Sequence, residues 1–345
     1  MLPQVTIIMP IRNEARFIAR SLGAVLAQDY PPQCMEILVV DGMSDDATRK
    51  IVQALIDRMR LGGDTRCLSI SLLDNPARIV PTALNIGLRH ARGAVIIRVD
   101  GHCEIALDYV RRCVEVLRET GVDCVGGPIV TVGETRVAQA IALGQSSFFG
   151  VGGVAFRTGR QRPGYVDTVA FGAYRHEVFE RIGSFDEELV RNQDDEFNFR
   201  LIQARGKIWL DPSIRSLYYS QTNLRRLWRQ YFQYGFYKVR VIQKRGAVPS
   251  WRHLVPGAFV LSLLGSLFLA LLTHSPFLML GVGGSYAVAS GLASLWIGRR
   301  NWWTLPLLPL IFLILHLAYG IGFLLGMWRW MRKRKTWGSS DFGQP

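Results

Sequence analysis

The feature that most constrains this chain is a stretch of 76 residues, His253–Trp328, that carries only two charged side chains, Arg299 and Arg300. A water-soluble fold cannot hide so long a run as one core hairpin, so a bilayer is the solvent it suits. Three apolar segments divide it, Val255–Leu272, Phe277–Ile297 and Leu305–Trp328. Each is near the roughly 20 residues that a membrane-crossing helix needs. Three crossings from a cytosolic domain would leave Arg329, Arg332, Lys333, Arg334 and Lys335 on the far side, against the positive-inside tendency. The last segment contains Pro306, Pro309, His316, Gly320, Gly322 and Gly326. That composition predicts a broken or re-entrant helix that returns the tail to the cytosol.

The charge follows the same division. Net charge is +14, yet residues 1–204 hold 23 basic and 25 acidic side chains. Residues 205–252 hold 11 against 1, and residues 329–345 hold 5 against 1. A nucleic-acid binder would carry its basic footprint on the folded domain. Here the surplus flanks the apolar third, which reads as attraction to anionic lipid headgroups and excludes a nucleic-acid partner. Between Gln221 and Trp251, Trp228, Tyr231, Phe232, Tyr234, Phe236 and Tyr237 alternate with Arg225, Arg226, Arg229, Lys238, Arg240, Lys244 and Arg245. This interleaving predicts an amphipathic helix in the headgroup plane. The expected organisation is a domain over 1–220, an interfacial helix region over 221–252, a transmembrane region over 253–328 and a basic tail over 329–345. The five cysteines, Cys34, Cys67, Cys103, Cys113 and Cys124, include no CxxC pair. They are expected to be free, mostly buried thiols of a reducing compartment. No signal-peptide pattern precedes the first apolar run, so the amino-terminal domain is expected to face the cytosol.

In that domain, strand-like runs (Val5–Met9, Ile37–Val40, Leu68–Leu72, Val95–Val99) alternate with segments of helical period (Glu14–Leu26, Asp46–Met59, Ile79–Ala91). The alternation predicts an α/β fold, a mainly parallel sheet with helices on both faces. Arg157–Gly164 is polar, basic and glycine-rich, and is expected to be a loop. In such a sheet, ligands bind beyond the carboxyl ends of the strands. Those ends read Pro10-Ile11-Arg12-Asn13-Glu14, Asp41-Gly42-Met43-Ser44-Asp45-Asp46, Asp74-Asn75-Pro76-Ala77-Arg78 and Asp100-Gly101-His102. Helix capping accounts for any one of them, since Asn13, Ser44 and Asp46 are good caps. It does not account for base-, phosphate- or metal-binding groups at every one. The turn after the first strand lacks GxGxxG, and the chain lacks a P-loop, which disfavours a dinucleotide dehydrogenase and a P-loop NTPase.

PIRNE, VVDGMSDDAT, the Asn-Pro-x-Arg segment leading into Ala83-Leu84-Asn85-Ile86-Gly87, RVDGH, and FGAYRHEVFERIGSFDEELVRNQDDEFNFRL occur in one order. In that order and spacing the chain resembles family 2 glycosyltransferases of GT-A fold, a Rossmann-like nucleotide-diphospho-sugar transferase domain. It is nearest to the membrane-anchored succinoglycan-chain glucosyltransferase group, in which RVDxH, RNQDDEFN and RQYFQYG recur before an α-helical membrane region. The resemblance implies that Asp41, with Glu14 and the backbone near Pro10, holds a uridine nucleotide. It places Arg78 on the diphosphate, where a guanidinium pairs with phosphate oxygens. Asp100 and His102 stand where the family has Asp-x-Asp and would share a divalent cation. A nitrogen ligand tilts the choice to Mn2+ over Mg2+. The plainer reading of His102 is a group hydrogen-bonded to Asp100.

Within Gln193-Asp194-Asp195-Glu196, Asp194 falls on the family's catalytic base and Gln193 replaces the usual Glu; the plain alternative is three acids at a helix start. Asp195 and Glu196 are substitutes for the base, and Arg200 either orients these acids or pairs with one on the helix surface. Gly126-Gly127-Pro128 and Phe171-Gly172-Ala173-Tyr174 would line the acceptor cleft or serve tight turns. His316 and Tyr319 would meet a polyprenyl diphosphate or form a polar pair inside the bundle. Gln221-Thr222-Asn223-Leu224-Arg225 departs from the Gln-x-x-Arg-Trp of processive synthases, which argues against polymer extrusion. The resemblance thus implies an inverting transfer of a hexose, glucose first, from a UDP-sugar to a polyprenyl-diphosphate-linked saccharide at a bacterial inner membrane. Two alternatives are a polyprenyl-phosphate sugar synthase and an inactive membrane scaffold of a glycan-assembly complex.

Overall fold

The computed structural model describes residues 2–61, 69–159, 162–248, 250–299 and 301–333. Cys67 and Leu68, loop residues 160–161, Arg300 and tail residues 334–345 lie outside them. The chain forms two units, Met1–Ser220 and Gln221–Pro345.

The first unit runs β1 (Val5–Ile11), α1 (Ile18–Leu26), β2 (Met35–Asp41), α2 (Thr48–Leu61), β3 (Ser69–Asp74), α3 (Val80–His90), β4 (Val95–Arg98) and β5 (Cys103–Ile105). It continues through α4 (Tyr109–Thr120), β6 (Cys124–Gly127), β7 (Ile129–Val132), α5 (Arg136–Gln145), α6 (Phe148–Val151), β8 (Gly164–Tyr165) and β9 (Ala170–Arg175). It closes with α7 (His176–Ile182), α8 (Gln193–Gln203), β10 (Ile208–Leu210) and β11 (Ser216–Tyr219). The expected α/β alternation is there, with β1 and β2 running on to Ile11 and Asp41 because their ladder continues in register. Eight strands form one sheet in the order β3-β2-β1-β4-β9-β6-β10-β8, and β5-β11-β7 form a smaller one. The first four strands are mutually parallel, and β9 runs antiparallel between β4 and β6.

Side-chain alternation along β1 makes two cores. Val5, Ile7, Met9 and Ile11 join Ile18 and Leu22 of α1 and Val110, Val114 and Leu117 of α4 on one face. Ile8 points the other way, toward Ala83 and Leu84 of α3, Val178 and Phe179 of α7 and Phe197 of α8. Phe197 stacks on Phe179 and packs against Phe185 at centroid distances of 5.0 and 4.6 Å, which fixes α8 on the sheet. Cys103, Cys113 and Cys124 are buried free thiols, as expected, and burial raises the pKa of each.

The second unit contains α9 (Leu224–Arg245), α10 (Val255–Thr273), α11 (Phe277–Gly298) and α12 (Leu308–Lys333). Among the described residues three helices are long and apolar enough to cross a membrane, Trp251–Thr273, Phe277–Gly298 and Leu308–Trp330. The last is not broken, contrary to the expectation from its prolines and glycines: α12 is continuous. Pro306 precedes it and Pro309 sits in its first turn, where no helical hydrogen bond is lost. Its glycines serve close packing instead. A Cβ on Gly322 would stand 2.1 Å from the Phe232 carbonyl oxygen of α9, and one on Gly320 2.3 Å from that of Pro256. Gly235 of α9 returns the approach, at 2.0 Å from the Tyr319 carbonyl oxygen. The helix expected to lie among headgroups is therefore packed along α12, with Arg225, Arg226, Trp228 and Arg229 exposed. His316 meets the Tyr286 hydroxyl at 3.0 Å, and Tyr319 meets His253 at 3.4 Å, so each has a polar partner on another element rather than the other member of the pair.

A Gly322→Leu substitution forces α9 and α12 apart and is expected to cost about 1–3 kcal/mol. Thermal unfolding in detergent measures it. Gly281→Leu is the control and leaves the midpoint unchanged, because a Cβ there meets nothing within 4 Å.

Candidate active site

Strand register gathers the site. Ile11 lies beside Asp41, and Asp41 beside Asp74, so the first three strands end level. Because β1 sits between β2 and β4, the chain reverses its order at that point and opens a crevice at the carboxyl edge. Asn13, Met43, Arg78 and Asn192 adopt left-handed φ of 56, 55, 61 and 63° in the turns around it. Such backbone is disfavoured for side chains with a Cβ and persists where neighbours hold it. The Asn13 and Glu14 amides donate to Ser44 Oγ and Thr48 Oγ1 at 2.9 and 2.7 Å, and Asn13 Oδ1 accepts from the Asp45 amide at 3.0 Å. Capping is thus part of the role of these residues: Asp46 accepts from the Thr48 amide at 2.9 Å at the start of α2.

The candidate nucleotide-binding residues differ in access. Pro10 is buried within β1. Asp41 has no exposed side-chain surface, and it accepts from Ser44 Oγ at 2.5 Å and pairs with Arg49 at 3.3 Å. Arg49 reaches Asp74 more closely, at 2.5 Å. Arg78 is exposed, and its carbonyl accepts from Arg12 at 3.2 Å.

Beyond β4, Asp100 and His102 each have a charged partner. Both Asp100 oxygens accept from the Arg98 fork, at 2.7 and 3.0 Å. Burial works against the Asp100 charge, but the Arg98 guanidinium outweighs it and holds the carboxyl below its usual pKa. His102 Nδ1 lies 2.8 Å from Glu14 Oε1. Burial disfavours the imidazolium, yet the Glu14 carboxylate raises the His102 pKa overall. This arrangement suits a divalent cation: a carboxylate on Nδ1 orients the ring and leaves Nε2 to carry the ligand lone pair. Among the described residues no cluster of three His, Cys, Asp or Glu side chains is poised for a metal. Asp100 and His102 would therefore hold a cation jointly with ligand oxygens, as a nucleoside diphosphate supplies.

The acids of α8 face different partners. Asp194 is 44% exposed and lies 3.5 Å from Arg98 Nη1. Glu196 is fully buried and paired with Arg200 at 3.1 Å. Arg200 also donates to the Ile182 and Ser184 carbonyls, so it pairs with an acid and anchors the helix rather than touching Asp194. Asp195 is half-buried and its amide donates to Asp194 Oδ1 at 2.9 Å, while Gln193 is buried. Gly127 and Gly172 are buried as well. A Cβ on Gly127 would stand 1.5 Å from the Ile214 carbonyl oxygen, and one on Gly172 2.8 Å from the Tyr174 ring, so the first serves close backbone packing and the second leaves room for that ring.

Two residues escaped the sequence reading of roles. Arg98 stood out only as a lone cation closing the apolar run Val95-Ile96-Ile97. Asn85 is 4% exposed and clamps the turn before α8: it donates to the Phe185 carbonyl and accepts from the Phe185 amide, both at 2.9 Å. A buried Asn in a helix was the available signal, but its partner lies 100 residues away.

A strand-order reversal flanked by an Asp-x-His pair, with acids at a helix start facing it, defines a sugar-transferring enzyme of GT-A type. The sequence profile described as Glycosyl transferase family 2 matches residues 6–183, and the chain belongs to that family. It is similar to the "Succinoglycan biosynthesis protein ExoA" of Rhizobium meliloti (strain 1021), 32% identical over 92% of this chain and 93% of that protein. It is also similar to the "Dolichyl N-acetyl-alpha-D-glucosaminyl phosphate 3-beta-D-2,3-diacetamido-2,3-dideoxy-beta-D-glucuronosyltransferase" of Methanococcus voltae, 26% identical over 94% and 97%. In fold it resembles the mannosyltransferase PcManGT from Pyrobaculum calidifontis, solved with GDP-Man and Mn2+, at TM-score 0.58 and 19% identity over 95% and 88% of the two chains. The protein is a membrane-associated glycosyltransferase.

Asn85→Ala leaves the Phe185 amide and carbonyl buried without their partner and is expected to cost about 1–3 kcal/mol. Chemical or thermal unfolding measures it; unchanged stability would show that the turn before α8 needs no clamp.

Proposed function

We propose that this enzyme moves a hexose, glucose first, from a UDP-sugar to a saccharide carried on a polyprenyl diphosphate, with inversion at the anomeric carbon. The observation that carries the reading is the open carboxylate of Asp194 facing the Asp100–Arg98 pair across the crevice. In this reading Asp194 takes the proton of the acceptor hydroxyl as that oxygen attacks, while the bond from the anomeric carbon to the diphosphate breaks on the opposite face. One base suffices, because a nucleoside diphosphate leaves without a protonated acid. Arg78 pairs with the diphosphate, and Pro10, Glu14 and Asp41 frame the nucleotide. Asp100 and His102 would hold a divalent cation, Mn2+ before Mg2+, which would offset charge on the departing diphosphate.

The Methanococcus voltae relative is named for a sugar on dolichyl phosphate, which supports a lipid-linked saccharide acceptor. Three membrane helices keep the enzyme in the same bilayer as such an acceptor and so raise its effective concentration. In this reading the catalytic unit faces the cytosol from a bacterial inner membrane, the side on which nucleotide sugars are supplied.

The test is UDP or GDP release by purified, detergent-solubilised protein from a panel of UDP- and GDP-sugars, with membrane lipid extract and with Mn2+, Mg2+ or EDTA. Release is expected from one UDP-hexose, lost in EDTA. Asp194→Asn should lower it about 10²–10⁴-fold and keep UDP binding by calorimetry. Wild-type turnover in that variant would move the base elsewhere. Product analysis with bare polyprenyl phosphate separates a lipid-phosphate sugar synthase from transfer to a saccharide.

A further inference from the structure

We infer that Arg98 is a positioning residue that ties the donor-side carboxylate Asp100 and the candidate base Asp194 to one guanidinium. The inference rests on the glycosyltransferase reading above and deepens it. Arg98 closes β4 with its side chain 13% exposed, and it follows three fully apolar, buried neighbours, Val95, Ile96 and Ile97. Its Nε and Nη2 engage the two oxygens of Asp100, and its Nη1 lies 3.5 Å from Asp194 Oδ2. The two carboxylates come from different elements, the end of a central strand and the first turn of α8, and are 94 residues apart in sequence.

Burying a cation in an otherwise apolar strand is unfavourable unless it is well paired, so the strand gains nothing in packing from Arg98. What it gains is geometry. A planar guanidinium with five donors can hold one carboxylate by its fork and turn a third nitrogen to a second carboxylate. An ammonium at this position keeps the charge but cannot hold both in fixed directions. The anchors of α8 described above, Arg200 with Glu196 and Asn85 with Phe185, lie on its other partners. They fix the helix, whereas Arg98 reaches the Asp194 carboxylate itself. A base aimed at an acceptor hydroxyl and a carboxylate beside the leaving diphosphate must keep a set separation. Small displacements of such groups cost rate steeply, about 10²-fold for 1 Å.

The experiment is a double-mutant cycle on the full chain in detergent, with Arg98→Gln, Asp194→Asn and the pair, plus Arg98→Lys. The first readout needs no metal, donor or turnover. Arg98→Gln leaves two facing carboxylates without their cation and should lower the thermal midpoint by roughly 5 °C. Adding Asp194→Asn should restore part of that loss. Additive shifts would overturn the tie. The second readout is UDP release from UDP-glucose. Arg98→Gln should lower kcat by about 10–100-fold with the donor KM moved less than about threefold, and Arg98→Lys should recover a part. In the Asp194→Asn background the Arg98→Gln change should lower release by less than it does in the unmutated chain, through Asp100 alone; losses that multiply in full would overturn the proposal. The broader reading fails by a different result, wild-type release by Asp194→Asn alone.

Discussion

The site depends on a register. Three parallel strands end level, with Ile11, Asp41 and Asp74 side by side, and a fourth strand joins on the other flank of the first. A one-residue slip in any of them would invert its faces and exchange the two cores, since Ile8 and its odd-numbered neighbours pack on opposite sides. The same hydrophobic constraint that holds the sheet therefore fixes how far each polar turn projects. Short turns with left-handed residues then bend the chain over the edge after each of the first three strands, and the hydrogen bonds among Asn13, Glu14, Ser44, Asp45 and Thr48 hold the first two turns as one piece.

Charge is arranged on that platform in alternating sign. Asp41 and Asp74 share Arg49, Asp100 and Asp194 share Arg98, and Glu14 is matched to His102. At Asp100 the pairing outweighs burial and holds the carboxyl below its usual pKa. A diphosphate approaching the edge would meet Arg78, exposed and not enclosed among these pairs. Arg78 is thus available to an anionic ligand without first leaving one of these carboxylates.

Much of this was legible in the sequence, and the division has physical causes. Periodicity located β1 to β4 and α1 to α3, because each buries a face whose pattern is local. Polar residues at strand ends followed from the parallel sheet alone. Arg98 and Asn85 were present in quoted motifs, yet their partners, Asp194 and Phe185, are 96 and 100 residues away, and no local pattern announces such pairs. The glycines of α12 were read as breaks because composition gives a glycine's freedom and not its neighbours. Only the structure puts the Phe232 and Pro256 carbonyls where a Cβ would be. Gly127 and Gly172 repeat the lesson inside the sheet.

Asp41 presents the sharpest difference between a residue's type and its situation. A carboxylate beyond β2 is well placed to accept from a nucleobase, but this one has no exposed surface and is bound by Ser44 and Arg49. For a base to reach it, one of those partners must let go. Arg49 is the one able to do so: its contact with Asp41 spans 3.3 Å, while its contact with the 56%-exposed Asp74 spans 2.5 Å. The guanidinium can give up the longer pairing and keep the shorter, so it remains matched in either state. The Ser44 hydroxyl is held from both sides, donating to Asp41 and accepting from the Asn13 amide, and so joins the β1 and β2 turns. The turn therefore stays intact while one oxygen of Asp41 is freed, and opening the carboxylate costs only the longer of the two ion pairs, with Arg49 still matched by Asp74.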